Sequence, residues 1–245
     1  MEIHPTVSFH PTVSFHLTDS CIILPRSAKV NFHSPSYILT FQPHIVPLSR
    51  AAAALCASDE AQLREALNLA LDSGVPAEVL REVILTAYLF DGYPAALEGF
   101  RLLASILGIP KTTVNSGYSA EEVKLWRERG ERLCRAIYGP QFEKLSDHVL
   151  EMAPELADSM IVEGYGKVLS RDGLDVRLRE LCVVAMLATK GRSRQLLSHM
   201  LGALRLGARE ADLRLALDGA AFVASEEKIA LAREVLEDAL RRFAK

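Results

Sequence analysis

The sequence has no pair of cysteines close enough to act together. Its four cysteines, Cys21, Cys56, Cys134 and Cys182, stand 35, 78 and 48 positions apart. Without a C-x-x-C pair, a zinc knuckle and a vicinal dithiol redox centre both lack their ligands. Thiols this sparse suit a reducing compartment, so a cytoplasmic location is expected. No run of about 18 apolar residues occurs, which predicts no transmembrane helix and no membrane partner. An excess of one charge is missing too: 28 Lys and Arg meet 31 Asp and Glu, a net charge of −3. With no basic stripe, electrostatic binding of nucleic acid is not expected.

What is present is apolar material, 49% of 245 residues. That excludes global disorder and supplies a core for one large domain or two small ones. Residues 1–48 differ from the rest, with five of the seven histidines and only four charged side chains (Glu2, Asp19, Arg26, Lys29). His4-Pro-Thr-Val-Ser-Phe9 is repeated as His10-Pro-Thr-Val-Ser-Phe15, followed by His16. Prolines interrupt every candidate strand, and the start does not read as a secretory signal. The three spaced histidines lack an acid or cysteine to complete a metal set, so no metal is called for. An irregular leader over 1–48 is expected.

From about residue 49 the apolar period becomes 3.6, with helix punctuation. Asp59 and Gln62 resemble a capping box, and Gly74 stops that helix. Pro76 opens the next helix, which Gly92 ends; Pro94 starts a third, closed by Gly108 and Pro110. Ser119-Ala-Glu-Glu122 caps a helix running to Tyr138, Pro154 opens another, and Asp175 caps one to Lys190. Helices over 192–206, 209–223 and 225–243 complete an all-α body.

A shift of 133 positions aligns 49–100 with 182–233 without a gap, with nine identities. Gln62-Leu63 falls on Gln195-Leu196, Ala70-Leu71 on Ala203-Leu204, and Gly74 on Gly207. The reading is two tandem related helical units, 49–110 and 111–245, each covering the other's apolar face. His199 replaces Ala66 of the first copy. A site therefore belongs to the second unit, with the first as its structural partner.

On the helix from 192, Leu197, Met200, Leu201 and Leu204 form the core stripe. His199 lies beside it and shares a face with Arg192, Gln195 and Ala203. A titratable ring, an amide and a guanidinium can then line one groove, and such a ring suits general acid–base work. A satisfied boundary histidine fits the same spacing. Glu180 orients or polarises His199 if the two helices pack antiparallel; otherwise it is a solvated first-turn acid. Cys182 is either a redox thiol or a small buried hydrophobe. Cys56 precedes a helix start, where a thiolate can be stabilised, but no resolving partner is near it in sequence.

These residues reach a family. Gly173-Leu-Asp-x-Arg-x-Arg179, Ala185-Met-Leu187 and Arg192…Leu196-x-x-His199…Ala203…Gly207 resemble the carboxymuconolactone decarboxylase family, whose members share the AhpD-like all-α fold. Trp126-Arg-Glu-Arg-Gly130…Gly139 is similar to its entry helix. Glu82-Val…Tyr88…Gly92-Tyr-Pro-Ala-Ala96 is similar to its second half. The likeness covers about 190 residues as a tandem duplication. Two departures stand out. Arg194-Gln195 occupies the place of two glutamates, and Arg192 and Gln195 occupy the cysteine positions of the alkylhydroperoxidase branch.

The resemblance implies a homo-oligomeric, cofactor-free enzyme acting by decarboxylation-type chemistry on a small carboxylated lactone or keto acid. In that reading His199 and Glu180 are catalytic, Arg192, Arg194 and Gln195 bind substrate, and His199→Ala costs little stability because the first copy tolerates Ala66. One alternative is a peroxiredoxin-type activity through a lone cysteine, Cys182 or Cys56. Another is a silent helical oligomer that binds a ligand or partner. His199 is expected to line the best pocket of the chain.

Overall fold

Helix punctuation in the sequence becomes helix ends in space. The structure, a computed structural model, describes residues 38–108 and 118–245, with side chains from Gln42 onward. The chain runs through α1 (Ile38–Leu55), α2 (Glu60–Asp72), α3 (Ala77–Leu107) and α4 (Ala120–Tyr138). A 3-10 turn, Gly139–Gln141, leads to α5 (Phe142–Met152) and α6 (Pro154–Ser159), which continues as a π-helical stretch, Met160–Leu169. Then come α7 (Val176–Lys190), α8 (Ser193–Arg205), α9 (Glu210–Ala220) and α10 (Glu226–Phe243). No strand occurs among the described residues, so the all-α class holds.

The caps are those that the residue types require. Asp59 accepts from the Gln62 amide at 2.9 Å. Ser119 and Glu122 form a reciprocal box. Asp175 accepts from the Arg177 amide at 2.9 Å. Each satisfies a backbone N–H that has no partner in the first helical turn. The expected break at Gly92 lies inside one long element: α3 is interrupted there by φ 81°, ψ 179°. An L-residue is strained in that region, so glycine alone turns the chain at this point.

The expected leader boundary at residue 48 needs correction. α1 begins at Ile38, so 38–48 belong to the helical body; the His4, His10 and His16 repeat lies outside the described residues. Pro43 and Pro47 sit inside α1. An internal proline costs roughly 3 kcal/mol. Tertiary burial offsets that cost: Ile45, Leu48 and Ala51 through Leu55 are all 3% exposed or less. Removing residues 1–48 is therefore expected to lower the thermal midpoint strongly. It deletes two buried aliphatic side chains, each worth about 2–5 kcal/mol when truncated. A calorimetric scan of the truncated chain that leaves the midpoint unchanged would refute this.

α1 is the hub. It packs against α7 and α9 as well as α2 and α3, so the segments read as two units share one core. Its run Ala51-Ala-Ala-Ala54 keeps the helix thin enough for neighbours on several sides. Gly219 of α9 lets it approach closely: a Cβ there would lie 2.6 Å from that of Ser49. The 133-residue offset also carries Glu60–Asp72 onto Ser193–Arg205 and the start of α3 onto that of α9. Gly74 and Gly207 both take positive φ, 85° and 95°. α4 crosses the π-helical stretch through Gly130 and Gly166. A Cβ on either would stand about 2 Å from a carbonyl oxygen, of Ile161 and of Trp126 respectively. That contact is a physical reason for glycine at the end of the Trp126–Gly130 motif.

Candidate active site

Gly191, in the left-handed conformation at φ 67°, turns the chain from α7 into α8, and the two helices pack as a hairpin. That brings Glu180 of α7 level with His199 of α8. His199 Nδ1 lies 2.8 Å from Glu180 Oε2. Both are buried, with 6% of His199 and 1% of Glu180 exposed. Glu180 is thus not a solvated first-turn acid. An ionised carboxylate only accepts, so Nδ1–H donates to Glu180 and Nε2 is left for other chemistry. Gly202, one turn beyond His199, makes the room: a Cβ there would sit 2.6 Å from Ile137 Cγ2 and 3.4 Å from Glu180 Oε2.

The surroundings of the pair are drawn from three further helical elements. Phe90 of α3 meets the His199 ring edge-on, with centroids 5.5 Å apart at 80°. Cys134 and Tyr138 of α4 and Tyr165 of the π-helical stretch lie on the Glu180 side. Tyr165 donates to the Tyr138 hydroxyl at 3.1 Å. Burial, with the Glu180 charge adding to it, pushes the Cys134 thiol up to about 12. Burial likewise pushes the Tyr138 phenol up to about 12, the Glu180 charge again contributing. Sequence reasoning did not single out Phe90, Cys134, Tyr138 or Tyr165. Glu82, Thr86 and Phe90 share one stripe of α3, but that spacing alone does not say which helix the stripe meets.

That stripe ties α3 to α7 beside the site. Arg179 Nη2 donates to Glu82 Oε2 at 3.0 Å, Arg179 Nη1 donates to Thr86 Oγ1 at 3.0 Å, and Arg171 Nε donates to Glu82 at 2.9 Å. Arg179 is 1% exposed. Burial alone would raise the Glu82 carboxyl. The hydrogen bond from Arg171 and the charge of Arg179 outweigh it and hold Glu82 below the ordinary glutamate range. At the other end of the stripe, Lys190 pairs with Asp91.

The remaining predicted site residues do not converge on His199. Arg192, Arg194 and Gln195 are all exposed at the start of α8. Gln195 and Arg192 precede His199 by one and two turns on its face, whereas Arg194 points about 140° away around the helix. Nothing among the described contacts joins their side chains to the Glu180–His199 pair. A cavity of about 250 Å³ is lined by Gln42, Ile45, Arg177, Leu178, Leu181 and the α8–α9 turn through Asp212, and His199 is not part of it. Its charges have partners already: Arg209 grips Asp212 through two nitrogens, and Arg177 bonds Asp175.

Both candidate redox cysteines are buried. Burial pushes the Cys182 thiol up to about 12 against a small opposing effect of Arg179. Burial and then the Asp91 charge push Cys56 to about 12. A nucleophilic thiolate needs the reverse, an electropositive and accessible setting. In native protein at pH 8, labelling with a thiol reagent is expected to leave Cys56, Cys134 and Cys182 unmodified on the minute scale. Peptide mapping reads Cys21, which lies outside the described residues, separately. Fast labelling of Cys56 or Cys182 would restore the thiol reading.

Among the described residues no cluster of His, Cys, Asp and Glu is arranged to hold a metal, and no helix is long and apolar enough to cross a membrane. No curated protein matches the chain. The model of the carboxymuconolactone decarboxylase family matches residues 154–238. The match spans α6 to α10 and takes in the Gly173–Arg179, Ala185–Leu187 and Arg192–Gly207 segments of the sequence resemblance, while the Trp126–Gly130 and Glu82–Ala96 segments lie outside it, so the chain carries a carboxymuconolactone decarboxylase family domain over 154–238.

Proposed function

We propose that the chain is a cofactor-free acid–base enzyme of decarboxylation type, acting on a small carboxylated lactone or keto acid through Glu180 and His199. The observation that carries this is the buried 2.8 Å bond between His199 Nδ1 and Glu180 Oε2. A carboxylate at Nδ1 fixes the ring orientation and stabilises the imidazolium, so that Nε2 can take up a proton and return it. In the reaction the bond to the carboxylate carbon breaks and CO₂ leaves. The electron pair stays on the adjacent carbon, and His199 protonates that carbon. Buried, aromatic surroundings strengthen the attraction between the Glu180 carboxylate and the imidazolium. Arg192 supports this reading less than Glu180 does, because its side chain is exposed. The test is a panel of carboxylated lactones and β-keto acids with CO₂ release as the readout. Turnover that survives both His199→Ala and Glu180→Gln would refute the assignment.

The offset that superimposes the ends of α2 on those of α8 supports an origin by duplication. A homo-oligomer is also proposed, through α4, α5 and α6. α5 is amphipathic yet buries only Phe142, and α6 buries none of its side chains. Leu125, Leu150, Met152 and Leu156 are each more than half exposed. Exposed apolar side chains gathered on helices that pack together mark candidate association surfaces. Sedimentation at micromolar concentration is expected to show a species heavier than 27.0 kDa, and Leu150→Glu with Leu156→Glu is expected to dissociate it. A single monomeric species in the parent chain contradicts the proposal.

A further inference from the structure

We propose that Phe90 is the specificity-determining wall of the Glu180–His199 site, and that the space its ring fills limits the substrate to one small ring. This deepens the catalytic reading above and rests on it. Nδ1 of His199 is taken by Glu180, so a substrate must reach the imidazole from another side. Yet only 6% of His199 is exposed, and the ring set edge-on against it is Phe90. Substrate therefore meets the imidazole by displacing Phe90, and the room obtained is that of one phenyl ring.

The backbone that carries Phe90 is held on both sides. Four residues earlier, Thr86 accepts from the buried Arg179, and eight earlier Glu82 pairs with the same guanidinium. One residue later, Asp91 pairs with Lys190, and at Gly92 the helix breaks at a φ that only glycine takes easily. With the helix end clamped, the motion left to Phe90 is rotation of its side chain. Its half-buried state leaves room for that rotation. Tyr93, just past the break, lies with its ring tilted against that of Tyr88, centroids 4.6 Å apart, and is 64% exposed. Its ring contact is with Tyr88 and not with His199, so it serves as a control. Phe90 also lies outside 154–238, so the wall is supplied by the first part of the chain to a site in the family domain.

The first experiment needs no substrate. Acylation of His199 by diethyl pyrocarbonate is followed by peptide mass spectrometry, with the exposed His148 as internal reference. Phe90→Ala is expected to raise the His199 rate relative to His148 by about tenfold, Phe90→Leu by less, and Tyr93→Ala not at all, since removing the covering group replaces a local opening step by direct access. An unchanged relative rate in Phe90→Ala overturns the proposal. If that variant does not fold, an unchanged rate in Phe90→Leu does so instead. The second experiment uses the CO₂ assay: Phe90→Ala is expected to shift the ratio of kcat/KM for two-ring over one-ring acids upward by about tenfold or more, the usual scale of a pocket-size effect. An unchanged ratio overturns the wall. Loss of the catalytic reading shows differently, as turnover that survives His199→Ala while the acylation result stands.

Discussion

Replacing His199 by alanine is expected to lower turnover on the true substrate by about 10²–10⁴-fold, the usual contribution of a positioned general acid or base. Glu180→Gln is expected to fall in the same direction, because the amide can no longer stabilise an imidazolium by charge. The stability cost of His199→Ala is larger than comparison with the first copy suggests. Ala66 stands opposite His199 under the 133-residue shift, and Glu180 lies before the aligned segment 182–233, so the first copy has neither member of the pair. In His199→Ala the buried Glu180 carboxyl loses its hydrogen-bond partner, which costs about 1–3 kcal/mol. The double variant Glu180→Leu/His199→Leu removes both polar groups and is expected to regain stability while staying inactive. Denaturant melts beside the CO₂ assay separate the two effects. Turnover intact in His199→Ala would make the pair structural and favour the ligand-binding reading.

Arg179→Ala is expected to be strongly destabilising, by about 3 kcal/mol, because it removes the buried one of the two guanidinium partners of Glu82 and leaves only the half-exposed Arg171. For a chain of this size that is a fall in Tm on the order of 10 °C. Glu82→Leu with Arg179→Leu is expected to recover much of the loss, since a pair removed together leaves no buried charge. The same network sets an acid limit. Glu82 titrates below its ordinary value because Arg171 and Arg179 outweigh its burial. A carboxyl depressed in the folded state contributes stability that is full above the unfolded value, about 4.3, and is lost as pH falls through the folded value. Glu82→Gln is therefore expected to flatten the pH dependence of stability below about pH 4.3 while lowering stability at pH 7. A parallel acid limb in parent and Glu82→Gln would show that other carboxylates dominate there.

Much of this protein follows from local chemistry and was therefore legible in one dimension. Asp59, Ser119 and Asp175 cap helices because their side chains reach an amide two or three residues on. Gly74, Gly92 and Gly207 end or break helices because the chain needs positive φ there. His199 stood out because it lies beside the α8 core stripe, where packing does not require a titratable ring. None of this depends on what lies across the core. The tertiary structure decided the rest. α1 keeps two prolines because burial against α7 and α9 outweighs their cost, and no local rule contains that burial. Glu180 could have been a solvated acid; the α7–α8 hairpin and the space left by Gly202 made it the partner of His199. Arg192, Arg194 and Gln195 share or neighbour the His199 segment in sequence, yet helix rotation and exposure at the start of α8 leave them away from the pair. Phe90 reaches His199 across 109 positions of chain, through a helix whose register is fixed by the Glu82–Arg179 bond. Contacts at such separations depend on how whole helices cross, and a single sequence carries no local signal for that.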